Sequence, residues 1–193
     1  DCMTLNASKV YGPKGIGVLY VRTGTAIQPL MWGGDQEMGI RPGTENVAGI
    51  AGFGKAAELA QIELEKESSH LTGLRDKLHG GIEKLIPDIK LNGHPTKRLC
   101  NTLNISFEYL EGESIILNLD MEGIAVSTGS ACTSGSLEPS HVLLAMGVSP
   151  QTSQGSIRFS LGMYNTEEDI DALLEILPGI IKKLRAMSPL YPG

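Results

Sequence analysis

The chain has 193 residues, 41% of them hydrophobic, and a formal net charge of −6. That length suits one large domain or one and a half, with the composition of an ordinary globular protein. No basic stripe interrupts the acidic surplus and no apolar run reaches membrane-spanning length, so neither direct nucleic-acid binding nor a membrane partner is expected. The opening residues carry no signal-peptide pattern. The three cysteines, Cys2, Cys100 and Cys132, are odd in number and widely spaced. They form neither a disulfide framework nor a zinc pattern, and a reducing cytoplasm suits them.

In chain order, "CMTLN" reads as a short buried strand and "GIGVLYV" (15–21) as a second. "IQPLM" (27–31) reads as a third, weakened by Pro29. The glycine-rich "WGGDQEMGIRPGTEN" (32–46) is a loop. From Asn46 the spacing turns helical through Val47, Ile50, Ala51, Gly54, Ala57 and Ile62, then Leu71, Leu74, Leu78, Ile82 and Leu85, up to Pro87. This is one long helix or two, with "KESSH" as the possible joint. Strands follow at 89–93 and 101–107, a helix at 112–122, a strand at 124–128 and a helix at 138–147 that ends at Gly147. "SIRFSLG" (156–162) alternates as a strand. Thr166 with Asp169 forms a capping box opening a last helix over 167–187, with a kink expected at Pro178. The division expected from this pattern is residues 1–62, part of one unit, and 63–193, a compact α/β unit. The start, "DCMTLNASKVYGPKG", reads as the middle of a longer protein.

Cys132 lies in "STGSACTSGSLEPSH", where Ser, Thr and Gly offer mobility rather than apolar packing. A buried small hydrophobe, the usual state of a free cysteine, fits Cys2 and Cys100 beside their strands. It fits Cys132 poorly, and an exposed thiol on a mobile loop is a candidate nucleophile. Lys9 follows a strand and precedes a Gly-Pro-Lys-Gly turn. An ordinary surface lysine explains it, and so does an amine that binds a carbonyl cofactor. Arg158 alternates with Ile157 and Phe159, so it shares the other face of its strand with Ser156. It is either a solvent-facing arginine or a bidentate clamp on a substrate carboxylate. Thr44, at the end of "RPGT", is either a helix N-cap or a phosphate ligand at a helix start. His141 reads as structural, and His70, His79 and His94 as surface residues.

Taken in order, "SK.YGPKGIGVLYV", "GG.QE.G.RPGTEN", "NTLNISF", "EGES", "VSTGSACTSGSLEPSHVL.AMG" and "SIRFSLG.YNTEEDID" resemble the cysteine desulfurases of the class V aminotransferase group, over essentially the whole chain. The long loop around Cys132 is similar to the subgroup serving iron–sulfur clusters and tRNA thiolation. The resemblance implies an α/β type I fold of pyridoxal-phosphate enzymes, here the C-terminal part of the large domain plus the small domain. It implies that Lys9 holds pyridoxal phosphate and moves the substrate α-proton, and that Arg158 clamps the carboxylate of L-cysteine. It further implies that Cys132 takes the sulfur as a persulfide, and that Thr44 reaches the cofactor phosphate of a neighbouring subunit in a homodimer. The implied partners are the missing N-terminal half and a sulfur-acceptor protein such as an iron–sulfur scaffold.

The chain departs from the family pattern at Ser8 and Asn6, where histidine and serine usually help bind phosphate. Either residue still offers a hydrogen bond. Met38 and Met163 stand where charged residues are common. Without the N-terminal half the expectation is that this polypeptide alone neither binds the cofactor tightly nor turns over cysteine. A selenocysteine lyase or another class V aminotransferase is the alternative within the fold. A non-catalytic subunit or scaffold of a split desulfurase is the alternative of another class.

Overall fold

The computed structural model describes residues 1–128 and 139–192. The chain divides into two compact units, Asp1–Glu65 and Lys66–Gly193. The first opens with an antiparallel hairpin of β1 (Cys2–Asn6) and β2 (Gly17–Val21), in which Cys2 faces Val21 and Asn6 faces Gly17. The connection contains a single 3-10 turn over Ala7–Val10, closed by Tyr11 in the left-handed region. This connection packs on the start of α1 (Val47–Leu85) through small residues. A Cβ at Gly12 would stand 3.0 Å from that of Ala7 and 3.1 Å from that of Ala56, and one at Gly52 would stand 2.8 Å from Pro13. A larger residue at either position would force its neighbours to shift.

Two expectations fail in this unit. Residues 27–31 form no strand. Pro29 lacks a ladder donor, and the sheet of this unit has only β1 and β2 among the described residues. The "CMTLN" strand is present but exposed along its whole length, Cys2 included. Leu5 keeps 47% of its surface and Tyr20 54%. These residues have the character of a strand covered on both sides, but no described residue of the unit forms a covering layer.

The second unit holds an antiparallel sheet in the order β3 (Ile89–Leu91), β4 (Thr102–Phe107), β6 (Ser156–Ser160), β5 (Ser127–Thr128). Its core face presents Leu103, Ile105, Phe107, Ile157 and Phe159, all buried. Helices supply the other half of the core. Leu71, Leu74, Leu78 and Ile82 of α1, and Ile170, Leu173, Leu177, Ile181 and Leu184 of α5 (Glu167–Met187), recur every three or four residues and are buried together. Ile115 and Leu119 of α2 (Gly112–Met121) join them.

α1 is a single helix through "KESSH", and α5 runs through Pro178. The Thr166–Asp169 capping box forms as expected. The helix expected over 138–147 is His141–Ala145 among the described residues, here α3. The strand expected over 124–128 shrinks to two residues. A further helix, α4 (Pro150–Gln154), escaped the sequence reading. Ser149 caps it by accepting from Thr152 N at 3.1 Å, with Pro150 in the first helical position.

Arg185 ties the end of α5 to the sheet. It is buried, and its Nη1, Nη2 and Nε donate to the carbonyls of Pro87 (2.8 Å), Asp88 (2.8 Å) and Glu108 (3.3 Å). Its guanidinium carbon lies 5.5 Å from the ring centre of Tyr191, which meets Tyr109 edge-on.

Candidate active site

The sequence-predicted residues fall into two local groups, one in each unit. In the first, Asn6 ends β1 and caps the 3-10 turn. Its Oδ1 accepts from both the backbone N–H of Ser8 (3.0 Å) and the Ser8 hydroxyl (2.9 Å). Lys9 follows as the third residue of that turn and is exposed. The turn exists because a β-region asparagine caps it and the left-handed Tyr11 closes it, with Gly12 N donating to Ala7 O at 2.9 Å.

Thr44 belongs to the same unit and is exposed. The capping role considered for it falls to Asn46, whose Oδ1 accepts from Gly49 N at 3.0 Å at the start of α1. The Thr44 hydroxyl is therefore not needed by the helix. The turn carrying it is held by two side chains that the sequence reading passed over. Gln36 Oε1 accepts from Gly43 N at 3.1 Å, and Arg41 Nη1 donates to the carbonyls of Gly43 (2.9 Å) and Thr44 (3.4 Å). Glu37 and Met38 both take left-handed φ, 48° and 59°, inside this loop. Met38, where a charged residue is common in the family, is 90% exposed.

In the second unit Arg158 sits in mid-strand, partly buried, on the face opposite Ile157 and Phe159. Its Nε is buried without an acceptor among the described residues. A guanidinium N–H left unpaired away from water is unfavourable and marks a position where an anionic acceptor fits. Asn104 stands opposite Arg158 on β4 and Ser127 opposite it on β5. Neither was singled out from sequence. The available signal was an asparagine in mid-strand, where asparagine is depleted.

Cys132 lies outside the described residues. Thr128, the last one before it, stands one residue past the Ser127–Arg158 pair. His141 is exposed at the start of α3. His79 is half-buried rather than on the surface, with Nε2 3.2 Å from Glu83 Oε1.

The family model for class-V aminotransferases matches residues 1–173. The chain belongs to that family. Among curated relatives, it is 57% identical over 189 residues to a protein named cysteine desulfurase IscS from Dictyoglomus turgidum, covering 98% of this chain and 48% of the relative. It is 53% identical over 191 residues to cysteine desulfurase IscS 1 from Archaeoglobus fulgidus, covering 99% of this chain and 50% of the relative. Among solved structures, a NifS-like protein matches with a TM-score of 0.85 and 40% identity, covering 95% of this chain and 47% of that one. The chain thus spans about half the length of the curated relatives it matches. The mixed α/β fold is the one expected, that of NifS-like members of the family. The family depends in general on pyridoxal phosphate.

The residues present suit such a group. Lys9 offers an amine, Ser8 and Thr44 hydroxyls, and Asn6 an Nδ2 whose partner oxygen is already engaged by Ser8. All four are exposed in this chain. No helix of the described residues is long and apolar enough to cross a membrane.

Proposed function

We propose that this chain is the C-terminal portion of a pyridoxal-phosphate-dependent cysteine desulfurase, which converts L-cysteine to L-alanine and carries the sulfur as a persulfide on Cys132. The observation that carries the reading is identity of 53–57% along nearly the whole chain to proteins named cysteine desulfurase. Residues 1–62 are proposed as part of the large cofactor-binding domain and residues 63–193 as the small domain with the cysteine loop. The exposed apolar hairpin of the first unit supports a missing N-terminal half as the covering partner. A homodimer, in which Thr44 binds the phosphate held by the neighbouring subunit, belongs to the same reading. So do a cytoplasmic setting and a sulfur acceptor such as an iron–sulfur scaffold protein.

Bound cofactor supplies an electron sink for the substrate α-carbon. The chain's own residues do the rest. The Lys9 amine would anchor the cofactor. The Asn6 Nδ2 and the Ser8 hydroxyl, once turned away from Asn6 Oδ1, would donate to its phosphate, and Thr44 would donate to the phosphate held by the neighbouring subunit. Once released by substrate, the same amine takes the proton from the substrate α-carbon and returns it as acid. The Arg158 guanidinium holds the substrate carboxylate, which fixes the sulfur's direction. The Cys132 thiolate attacks the substrate sulfur. The S–S bond forms as the C–S bond breaks, its electron pair stays on carbon, and protonation there yields alanine.

The visible absorbance of bound cofactor tests the reading, recorded with added pyridoxal phosphate on this chain alone and after mixing with a separately expressed N-terminal half. The expected result is a band and cysteine-dependent sulfide release only in the mixture. Lys9→Ala removes both, whereas Cys132→Ser keeps the band and removes the sulfide. No band with the partner half present overturns the catalytic reading.

A further inference from the structure

Arg158 has neighbours whose hydrogen bonds set what it can bind. In an antiparallel pair, directly opposed residues project their side chains from the same face. Asn104 and Ser127 therefore flank Arg158 on the face away from Leu103, Ile105, Ile157 and Phe159. Asn92, just past β3, extends the row. Its N–H donates to the Asn104 carbonyl at 2.9 Å, and its Nδ2 donates to Asn104 Oδ1 at 2.7 Å and to Ser106 Oγ at 2.8 Å.

Asn92 and Ser106 are both buried. The Asn104 carboxamide is thus held by its oxygen, and the Nδ2 protons are what it can offer a ligand. Ser127 differs, because its hydroxyl donates to the Thr128 carbonyl at 3.0 Å. The row therefore combines a guanidinium with a buried, unpaired Nε and, on the β4 side only, an oriented neutral donor.

We propose that Asn104 is a substrate-contacting, specificity-determining residue, whose Nδ2 donates to the same carboxylate that Arg158 holds. The proposal rests on the reading of Arg158 as the carboxylate clamp. A carboxylate has two oxygens and about four acceptor sites, enough for a guanidinium and an amide together. A neutral carbonyl has one oxygen for both donor groups and brings no charge to offset the guanidinium. An amide beside the arginine adds direction without a second positive charge to desolvate. Asn92 and Ser106 act through Asn104 and are positioning residues.

The test uses the complete holoenzyme with L-cysteine and with cysteamine, the same thiol amine without the carboxylate. The readouts are kcat/KM for both, and the affinity for L-alanine by isothermal titration calorimetry. For Asn104→Ala the expected result is L-alanine binding weakened about ten- to hundredfold, the range for a hydrogen bond to a charged group. The KM for L-cysteine rises in step, while kcat/KM for cysteamine and the cofactor band hold. Asn104→Asp, equal in size but negative, weakens L-alanine further. Asn92→Ala gives a smaller loss of the same kind. Should Asn104→Ala fail to fold by thermal melt, Asn104→Ser takes its place with the same expected direction. Equal losses for both substrates, or unchanged L-alanine affinity, overturn the proposal. Arg158→Ala separates the two levels. If it abolishes the preference for L-cysteine and the Asn104 variants do not, only the role of Asn104 falls. If it leaves the preference intact, the clamp reading fails and the role of Asn104 falls with it.

Discussion

The β1–β2 hairpin and the four-stranded sheet are assembled from similar side chains and meet opposite surroundings. In the sheet, Leu103, Ile105, Phe107, Ile157 and Phe159 face three helices and lose nearly all contact with solvent. In the hairpin, Met3, Leu5, Val18, Leu19 and Tyr20 stay about half exposed. Register and strand length are well formed in both. Backbone pairing alone therefore makes a strand, but only a second layer turns its apolar residues into stability. The hairpin carries the Lys9 turn and the sheet carries Arg158. The two proposed halves of the chemistry thus rest on supports of unequal rigidity in this chain.

The sharpest way to break that comparison is truncation. Leu78→Ala, in the closed core, is expected to cost about 2–5 kcal/mol, because it removes apolar burial and leaves a cavity. Leu19→Ala, on the hairpin, is expected to cost under about 1 kcal/mol. Urea unfolding of both variants measures the difference, and equal losses would mean that the hairpin is as well supported as the sheet. Next in size, Arg185→Ala leaves the carbonyls of Pro87, Asp88 and Glu108 without their donor. A loss of about 2–4 kcal/mol is expected. Arg185→Lys is expected to recover less than half, since one ammonium cannot span three carbonyls.

The smallest effect belongs to the capping box of α5. Thr166→Ala is expected to cost about 1 kcal/mol by thermal melt. Its partner gives that box an acid dependence. The backbone N–H of Thr166, and then the Asn165 amide, hold the Asp169 carboxyl below its ordinary 3.8. With the folded value below the unfolded one, its contribution is fully present above about pH 3.8 and is lost as pH falls through the lower folded value. Melting temperatures of the parent and Asp169→Asn are expected to converge at the acid end, with the parent ahead only above it.

Local signals were legible in the sequence. The 3–4 spacing of α1, the capping box of α5 and the alternation of β4 and β6 depend on neighbours a few residues away, and they appear where expected. What went unread depends on distant chain. Whether "CMTLN" is buried is decided by what covers it, and no residue within the strand carries that information. At five residues α4 is too short for periodicity, although Ser149 and Pro150 announce its start. Arg158 was found because an arginine interrupts an apolar strand. Asn104 and Asn92 were missed because their importance lies in register, which joins residues far apart in sequence.

The clamp at Arg185 has a further consequence for how the second unit responds to its solution. All three acceptors are backbone carbonyls, which neither titrate nor attract counterions. Screening by dissolved salt weakens exposed ion pairs such as those of Lys77 with Glu167 and Asp171. It finds little to act on at Arg185. The attachment of the last helix to the sheet is therefore expected to depend far less on ionic strength than those surface pairs do.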